Sequence, residues 1–229
     1  IGTSELPFGA IANAQILQGG FGPEFGRATG GVVNITTKSG TNRWEFGAKL
    51  SAMPNALRSP QLNTYFPKTG HNPLTDGKLQ FYNQDNRVSS HTAGVYVGGP
   101  LIKSKLFAFV ALERNASQSE SIAASSDKIV NPTGWSNSHN TVDRYLAKFD
   151  YNLSDDHHFE LTQIHDETRN RTSLYGFDYG SFTHNDVKTG GQTSGNCCGA
   201  PNPGADDTIF KYTAYLSDDL TFTTLYGQS

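Results

Sequence analysis

The sequence lacks a long apolar run, and it contains very few cysteines. Its longest apolar run is Leu106 to Leu112, far shorter than the roughly 18 to 20 residues of a transmembrane helix, which excludes a helical membrane protein. Cys197 and Cys198 are the only cysteines, and they are adjacent. A bridge between neighbours is strained, and two thiols alone do not complete a tetrahedral metal shell. We interpret them as a free or mutually bonded pair without chemistry, or as partners of a cysteine elsewhere in the protein.

Charge is also scarce, at 17% of residues with a net charge of −3. A soluble globular domain usually has about a quarter of its residues charged, and a nucleic-acid surface is basic. No nucleophile elbow, phosphate loop or zincin helix occurs. We therefore predict a protein that is not an enzyme, has no cofactor or metal and binds no nucleic acid. Because the chain begins at Ile1 without a signal peptide, we expect it to be a mature or truncated piece.

The first positive feature is a glycine-dense stretch, GGFGPEFGRATGGVVNITTKSGTN, over residues 19–42. It contains one alternating strand, residues 32–37, which is entered through Gly30 and Gly31. Glycine is placed where backbones approach closely or where φ is positive. The pattern predicts a strand with tight turns at both ends that packs inside a larger structure.

The second positive feature is a series of seven strand-like segments after residue 43, separated alternately by long polar stretches and short turns. The third segment is apolar on both faces, and the mixed pattern of the fifth indicates a bulge. The segments are Trp44–Ala52, His91–Gly98, Lys105–Arg114, Thr141–Leu153, Phe159–Thr168, Thr208–Leu216 and a last strand from Leu220.

A period of two gives each strand one apolar face. In a soluble sandwich such faces meet each other, whereas in an outer-membrane barrel they face lipid. Short turns on one rim and long loops on the other favour the barrel, as do strands of about 9–11 residues. Aromatic residues beside the short turns are typical of an interfacial girdle: Phe149, Tyr151, Tyr215 and Phe222.

Four segments of the sequence point to one family. Residues 30–38 resemble the last plug strand of TonB-dependent outer-membrane receptors, roughly GG-[VI]-[VI]-N-[VI]-x-TK. FGPEFGRATGG, GGPLIKSKLFAFVALE and RYLAKFDYNLSDDHHFELT resemble segments of the Oar-like branch. The resemblance implies an all-β fold, a transmembrane antiparallel β-barrel of about 22 strands with a plug domain. Residues 1–42 would be the C-terminal part of the plug, and 43–229 the first barrel strands with long extracellular loops.

The same resemblance implies a transporter in the outer membrane of a Gram-negative bacterium, which passes a bulky substrate through a plugged barrel. Its partners would be membrane lipid and the TonB energy-transducing complex, engaged through a segment outside this chain. One alternative is an Oar-like protein-binding or protein-secretion partner anchored by the barrel. A second alternative is a soluble β-rich adhesin fragment.

Candidate functional residues follow from the resemblance and from the strand pattern. The plug charges Glu24 and Arg27 are expected to pair with the barrel residues Glu45 and Lys49. Asp155 to His158 resemble a metal cluster, but we interpret them as a solvated turn. The plug motif comprises Gly26, Arg27, Gly30, Gly31, Asn34, Thr37 and Lys38; the lumen-facing candidates are Glu45, Lys49, Arg144, Lys148 and Asp150; the loop aromatics that contact a ligand, or else pack the loop, are Tyr175, Phe177, Tyr179 and Phe182.

Overall fold

The computed structural model describes residues 5–17, 31–122, 134–178, 180–194 and 204–229. Nearly all regular structure in these ranges is β-strand, with two short 3-10 turns at Phe8–Ala10 and Asn55–Leu57. Within the described ranges, no helix has the length and apolar character that crossing a membrane requires. The fold class is therefore all-β, as predicted.

Most strands belong to one antiparallel sheet, ordered β12-β11-β9-β8-β7-β6-β3, with β10 paired to the far end of β9. Among the described residues β3 and β12 form the two edges, and they do not pair with each other. The sheet is therefore open. Its strands are β3 (Glu45–Met53), β6 (Arg87–Ile102), β7 (Leu106–Ile122), β8 (Trp135–Asn152), β9 (His157–Asp178), β10 (Thr183–Ser194), β11 (Gly204–Ser217) and β12 (Leu220–Gln228).

All seven predicted strands are present, but five of them, β6, β7, β8, β9 and β11, are longer than expected. The sequence indicated the stretches 115–140 and 169–206 as loops. Their described residues are largely strand, because β7 continues to Ile122 and β9 to Asp178. Polar residues there pair directly across strands, as Gln118 does with His139. Backbone hydrogen bonding between neighbours sustains such strands without an apolar face, so an apolar alternation does not mark them.

The sheet has two different faces. One, the apolar face, carries aliphatic and aromatic side chains that remain exposed, with Phe46 at 83% and Leu50 at 85%. The other, the covered face, carries most of the buried side chains. Exposed apolar-face residues include Phe46, Leu50, Val95, Val97, Leu112, Phe149, Leu161, Phe210, Phe222 and Tyr226.

The N-terminal segment, residues 5–10, lies against the covered face. Ala10 packs with Phe109, Ala111 and Leu146, and all four are at most 2% exposed. β7 is therefore apolar on both faces. Phe109 and Ala111 contact this segment on the covered face, whereas Val110 and Leu112 lie on the apolar face. The predicted bulge in the fifth strand is wrong, because β9 pairs with β8 and β11 from residue 157 to 167 without a register shift. Its mixed pattern has the same origin: Ile164 packs against the covered-face core.

Two small sheets accompany the large one. β1 (Ile11–Leu17) pairs antiparallel with β2 (Val32–Thr37), and β4 (Thr64–Tyr65) pairs with β5 (Leu79–Phe81). After β2 the chain returns to the large sheet. The side-chain oxygen of Asn42 accepts a hydrogen bond of 2.8 Å from the backbone N–H of Ser104, in the β6–β7 turn.

The three short turns of the large sheet are staggered. They are closed by the pairs Ile102–Leu106, Asn152–His158 and Ser217–Leu220. Leu106 lies opposite Tyr151, so the second closing pair is one residue farther along the strands than the first. His158 lies opposite Thr213, so the third closing pair is a further four residues along. Five residues at about 3.3 Å each, over four strand spacings of about 4.8 Å, incline the strands roughly 40° from the perpendicular to the line through the turns.

The boundary of the apolar face also crosses the strands obliquely, and it slopes in the same direction as the line through the turns. From β3 to β11 the last apolar side chain moves toward the turn end, although Leu112 is level with Tyr145 and Leu161 is level with Phe210. On β7, β8 and β9 a row of charged residues, Arg114, Asp143 and Glu167, lies beyond this boundary. The last apolar residues are Ala52, Ala93, Leu112, Tyr145, Leu161 and Phe210.

Candidate functional site

The covered face holds a cluster of charges where the N-terminal segment meets the large sheet. Arg144 on β8 lies between Glu113 on β7 and Asp166 on β9, with nitrogen–oxygen distances of 3.2 and 3.7 Å. Glu5 of the N-terminal segment completes an ion pair with the same guanidinium. We call Glu5, Glu113, Arg144 and Asp166 the Arg144 cluster.

The same carboxylates also bind the backbone of the N-terminal segment. The N–H of Glu5 donates to Asp166 Oδ2, and the N–H of Phe8 donates to Glu113 Oε2, both at 3.2 Å. The side chains of Glu113, Asp166 and Arg144 are only 9%, 11% and 16% exposed. A buried guanidinium thus holds two buried carboxylates in place, and these in turn hold the segment.

Aromatic contacts flank the cluster. Lys49 Nζ lies 3.9 Å from the centre of the Phe8 ring, and Lys38 Nζ lies 3.9 Å from the centre of the Tyr96 ring. A cation over an aromatic face is attracted by the ring quadrupole. A Cβ built on Gly9 would lie 3.0 Å from Cδ1 of Tyr96, so a side chain at position 9 would force the segment away from the sheet.

The predicted plug motif is only partly within the described residues. Gly26, Arg27 and Gly30 lie outside them, as does the charge Glu24. Asn34 pairs with Gln15, Thr37 pairs with Ile11, and Lys38 donates its N–H to the Ala10 carbonyl at 2.7 Å. A Cβ on Gly31 would meet the Leu17 carbonyl oxygen at 3.1 Å. The described part of the motif therefore joins the small sheet to the N-terminal segment.

The five residues predicted to face the lumen lie at positions of the covered face. Lys148 Nζ is 2.9 Å from Glu160 Oε2. Glu45 lies opposite Gly98 at the turn end. The expected pairing of Glu45 and Lys49 with Glu24 and Arg27 stays a prediction, because neither plug charge is described. The sequence reasoning missed the role of Glu5 and Glu113, for which no local motif gives a signal.

Aromatic side chains gather at the far end of the large sheet, in a group that we call the tip cluster. Ile122 and Trp135 are buried there, and Tyr175 and Phe177 pack against them. The ring of Phe182 stacks on that of Tyr82 with centroids 4.6 Å apart, and Trp135 stacks on His184 at 4.5 Å. Three of the predicted loop aromatics thus have packing partners within the chain, whereas Tyr179 lies outside the described residues. A ligand contact by these rings stays a prediction.

We expect the Phe182–Tyr82 pair to contribute about 1 kcal/mol beyond its buried area, because stacked aromatic pairs usually do. A double-mutant cycle of Phe182→Leu and Tyr82→Leu, measured by urea unfolding, checks this. Tyr65→Leu serves as the control partner, since the Tyr65 ring is 58% exposed. A coupling near zero for Phe182 and Tyr82 would contradict the packing role.

The tip of the β9–β10 hairpin is also fixed by hydrogen bonds. The Gly180 N–H and the Ser181 hydroxyl donate to the Asp178 carboxylate at 2.8 and 2.9 Å, and these bonds lower the pKa of Asp178. The turn is therefore held by an ionised carboxylate at neutral pH.

No metal-binding arrangement occurs in the part of the chain that the structure describes. His157 hydrogen-bonds to the Tyr212 hydroxyl at 2.8 Å, and His158 to Asn152 at 2.7 Å. The two histidines lie at adjacent positions of β9, on opposite faces, and contact different neighbours. Cys197 and Cys198 lie outside the described residues.

Comparison with known proteins gives one relationship. Over 109 residues, or 48% of this chain, the sequence is 30% identical to the TonB-dependent transporter Oar of Myxococcus xanthus. The match spans 9% of that protein's length. No family model matches, and no solved structure matches.

This similarity supports a relationship to TonB-dependent receptors. The relative is a transporter, which agrees with the prediction that the chain is not an enzyme. Since the match covers a small part of the relative, the activity, substrates and partners of the whole protein are treated as proposals below.

Proposed function

We propose that this chain is part of a TonB-dependent outer-membrane transporter of the Oar-like kind. The large sheet is a section of its barrel wall, and residues 1–42 belong to the plug. The apolar face contacts lipid, the covered face lines the lumen, and an energy-transducing TonB complex displaces the plug to admit a bulky substrate.

The stagger of the short turns is the observation that carries this proposal. Turns that lie in one rim of a barrel require strands inclined at about 35–45° to the axis, and the stagger of the three turns corresponds to roughly 40°. The apolar boundary slopes across the sheet in the same direction. A membrane surface that cuts tilted strands at constant height produces this slope, whereas a soluble sandwich buries its apolar face.

The packing of the N-terminal segment supports the assignment of the two faces. The exposed apolar side chains lie opposite the face that this segment covers. An open sheet edge is costly in lipid, because every unpaired N–H and C=O loses its water. The edges β3 and β12 therefore require further wall strands, which the proposed barrel of about 22 strands supplies.

A reversible disulfide between the segment and the wall tests the proposal without a known substrate. A Cβ on Gly9 would lie 3.5 Å from the Cβ of Tyr96, within the usual range for a disulfide of about 3.5–4.5 Å. The pair Gly9→Cys and Tyr96→Cys is introduced into the full-length receptor with Cys197→Ser and Cys198→Ser. In planar bilayers, concentrated urea should release the plug and open a large conductance in reduced protein. Oxidised protein should stay closed.

The two single-cysteine variants provide the control, since both should open in urea whether or not oxidant is present. Oxidised double-cysteine protein that conducts as freely as reduced protein would contradict a stopper made by this segment. A polypeptide that co-purifies at the tip cluster, together with a barrel that never opens, would favour the protein-binding or secretion role instead.

A further inference from the structure

A small polar pocket lies between the end of β3 and the start of β6, and we call it the loop pocket. It has a volume of about 150 Å³ and is lined by Asn55, residues 58–61 and residues 84–88. Sites that enclose a whole small molecule usually have about 300–1,000 Å³. The loop pocket is therefore of a size for one chemical group of a larger molecule.

Backbone N–H groups fix the orientation of the amide side chains around the loop pocket. The N–H of Val88 donates to Asn55 Oδ1, and the N–H of Ile122 donates to Asn86 Oδ1, both at 3.1 Å. Asn86 Nδ2 in turn donates to Gln61 Oε1 at 3.0 Å. Because a backbone N–H can only donate, these contacts occupy the amide oxygens. The side-chain NH₂ groups of Asn55 and Gln61 have no partner among the described residues.

Two guanidinium groups add further donors to the lining. Arg58 and Arg87 are exposed, and within the described ranges neither guanidinium has an ion pair or a hydrogen bond. Asp85 also lines the pocket, and its Oδ2 accepts a bond of 3.0 Å from the Tyr82 hydroxyl. Glu120 lies opposite Arg87, but its carboxylate accepts from two side-chain amides and does not line the pocket. The lining thus has two guanidinium groups and one carboxylate, and most of its unused side-chain groups are donors.

We propose that the loop pocket binds an oxyanion group of the substrate, a carboxylate, a phosphate or a sulfate. The oxygens of such a group accept charge-assisted bonds from the guanidinium groups of Arg58 and Arg87 and further bonds from the amides of Asn55 and Gln61. A cation would meet two positive charges, and a neutral group would leave the guanidinium groups without a counter-charge. The inference rests on the proposed function, since it names a chemical feature of the bulky substrate.

The position of the loop pocket indicates a ligand from outside the bilayer. Arg87 lies six residues beyond Ala93, the last apolar residue of β6, which corresponds to about 20 Å along the strand. With the strands inclined by roughly 40°, this is about 15 Å above the apolar boundary, whereas a head-group layer is only about 5–7 Å thick. The pocket is therefore beyond the reach of the phosphates of the surrounding lipids.

The test measures the rate at which phenylglyoxal modifies each arginine of the full-length receptor in dodecyl maltoside, by peptide mass spectrometry. Sodium sulfate and sodium acetate are the probes, each compared with sodium chloride of equal ionic strength. We expect about 10 mM probe to slow the modification of Arg58 and Arg87 about tenfold, as for a dissociation constant near 1 mM from two charge-assisted bonds. Arg171, which is exposed on β9 outside the pocket, should react at the same rate in all three salts.

Two variants and a matched control show whether the donors act together. Arg58→Gln should abolish the protection of Arg87, because the two guanidinium groups share one anion. Gln61→Glu keeps the shape of the side chain but places a carboxylate among the donors, so it should abolish the protection of both arginines. Arg171→Gln, which also removes an exposed arginine, should leave that protection unchanged.

Unchanged modification of Arg58 and Arg87 in both probes would overturn the inference, as would equal slowing at Arg171, which indicates general screening. Protection of Arg87 that survives Arg58→Gln would also overturn it. Protection by sulfate alone would support a phosphate or sulfate group, and protection by acetate would support a carboxylate. Bilayer insertion is measured separately by heat-dependent mobility in gel electrophoresis. A receptor that does not insert contradicts the proposed function, whereas an inserted receptor without protection contradicts only this inference.

Discussion

In the proposed barrel, replacement of Thr224 by arginine should prevent stable membrane insertion, whereas the same change at Thr223 should be tolerated. The two threonines are adjacent on β12 and both are exposed. Thr224 pairs with Tyr212, and it stands on the apolar face between Phe222 and Tyr226. Thr223 stands on the opposite face, where it pairs with Thr213.

The expected difference arises because one face of β12 would contact lipid and the other would contact water. An arginine on the lipid side of a barrel strand costs about 2–4 kcal/mol near the middle of the bilayer, whereas a lumen position is wet and costs little. Urea titration of folding into phospholipid vesicles measures the free energy directly for both variants. A loss of similar size at the two positions would show that both faces of β12 meet the same environment, which contradicts the lipid-facing assignment.

Replacement of Arg144 by methionine should destabilise the contact between the N-terminal segment and the sheet by about 3–5 kcal/mol. The change leaves the carboxylates of Glu113 and Asp166 buried without their cation, and such uncompensated buried charges are among the costliest defects in a fold. The segment should then become accessible to protease from the periplasmic side.

Arg114→Met is the matched control. Arg114 also binds a carboxylate through two hydrogen bonds, but its side chain is 60% exposed, against 16% for Arg144. Exposed ion pairs contribute about 0–1 kcal/mol, so this variant should unfold almost as the unchanged protein does. Adding Glu113→Gln and Asp166→Asn to Arg144→Met should recover a large part of the loss. Similar losses in Arg144→Met and Arg114→Met would contradict a buried fastening role for the cluster.

The strands near the short turns could be predicted because their environment changes at every residue. In β3 and in the part of β8 near its turn, side chains alternate between an apolar and a polar face. That alternation predicts both where the strand lies in the sequence and which face each side chain occupies. β7 could not be oriented from its sequence, since Phe109 and Ala111 pack under the N-terminal segment. The N-terminal segment lies about 100 residues away along the chain, so the local sequence pattern of β7 does not indicate this contact.

The residues of the candidate site could likewise be predicted only in part. Arg144, Lys148 and Asp150 were assigned to one face by period alone, and the structure places them on the covered face. Glu5 and Glu113 were not found, because an ion cluster between the N-terminal segment and three strands depends on the long-range pairing of Glu113 with Arg144 and of Arg144 with Asp166. The parts of the strands far from the short turns were taken for loops. Ser, Thr and Asn residues pair across these strands, so the sequence there shows no apolar alternation.

β9 continues for eleven residues from Glu167 to Asp178, a length of about 36 Å for an extended chain. In the proposed barrel, with the strands inclined by roughly 40°, this hairpin would rise roughly 28 Å beyond the charged row. Its height would be close to that of the hydrocarbon layer that the barrel crosses, about 30 Å. Whatever it captures would be met well outside the membrane, before the pore itself.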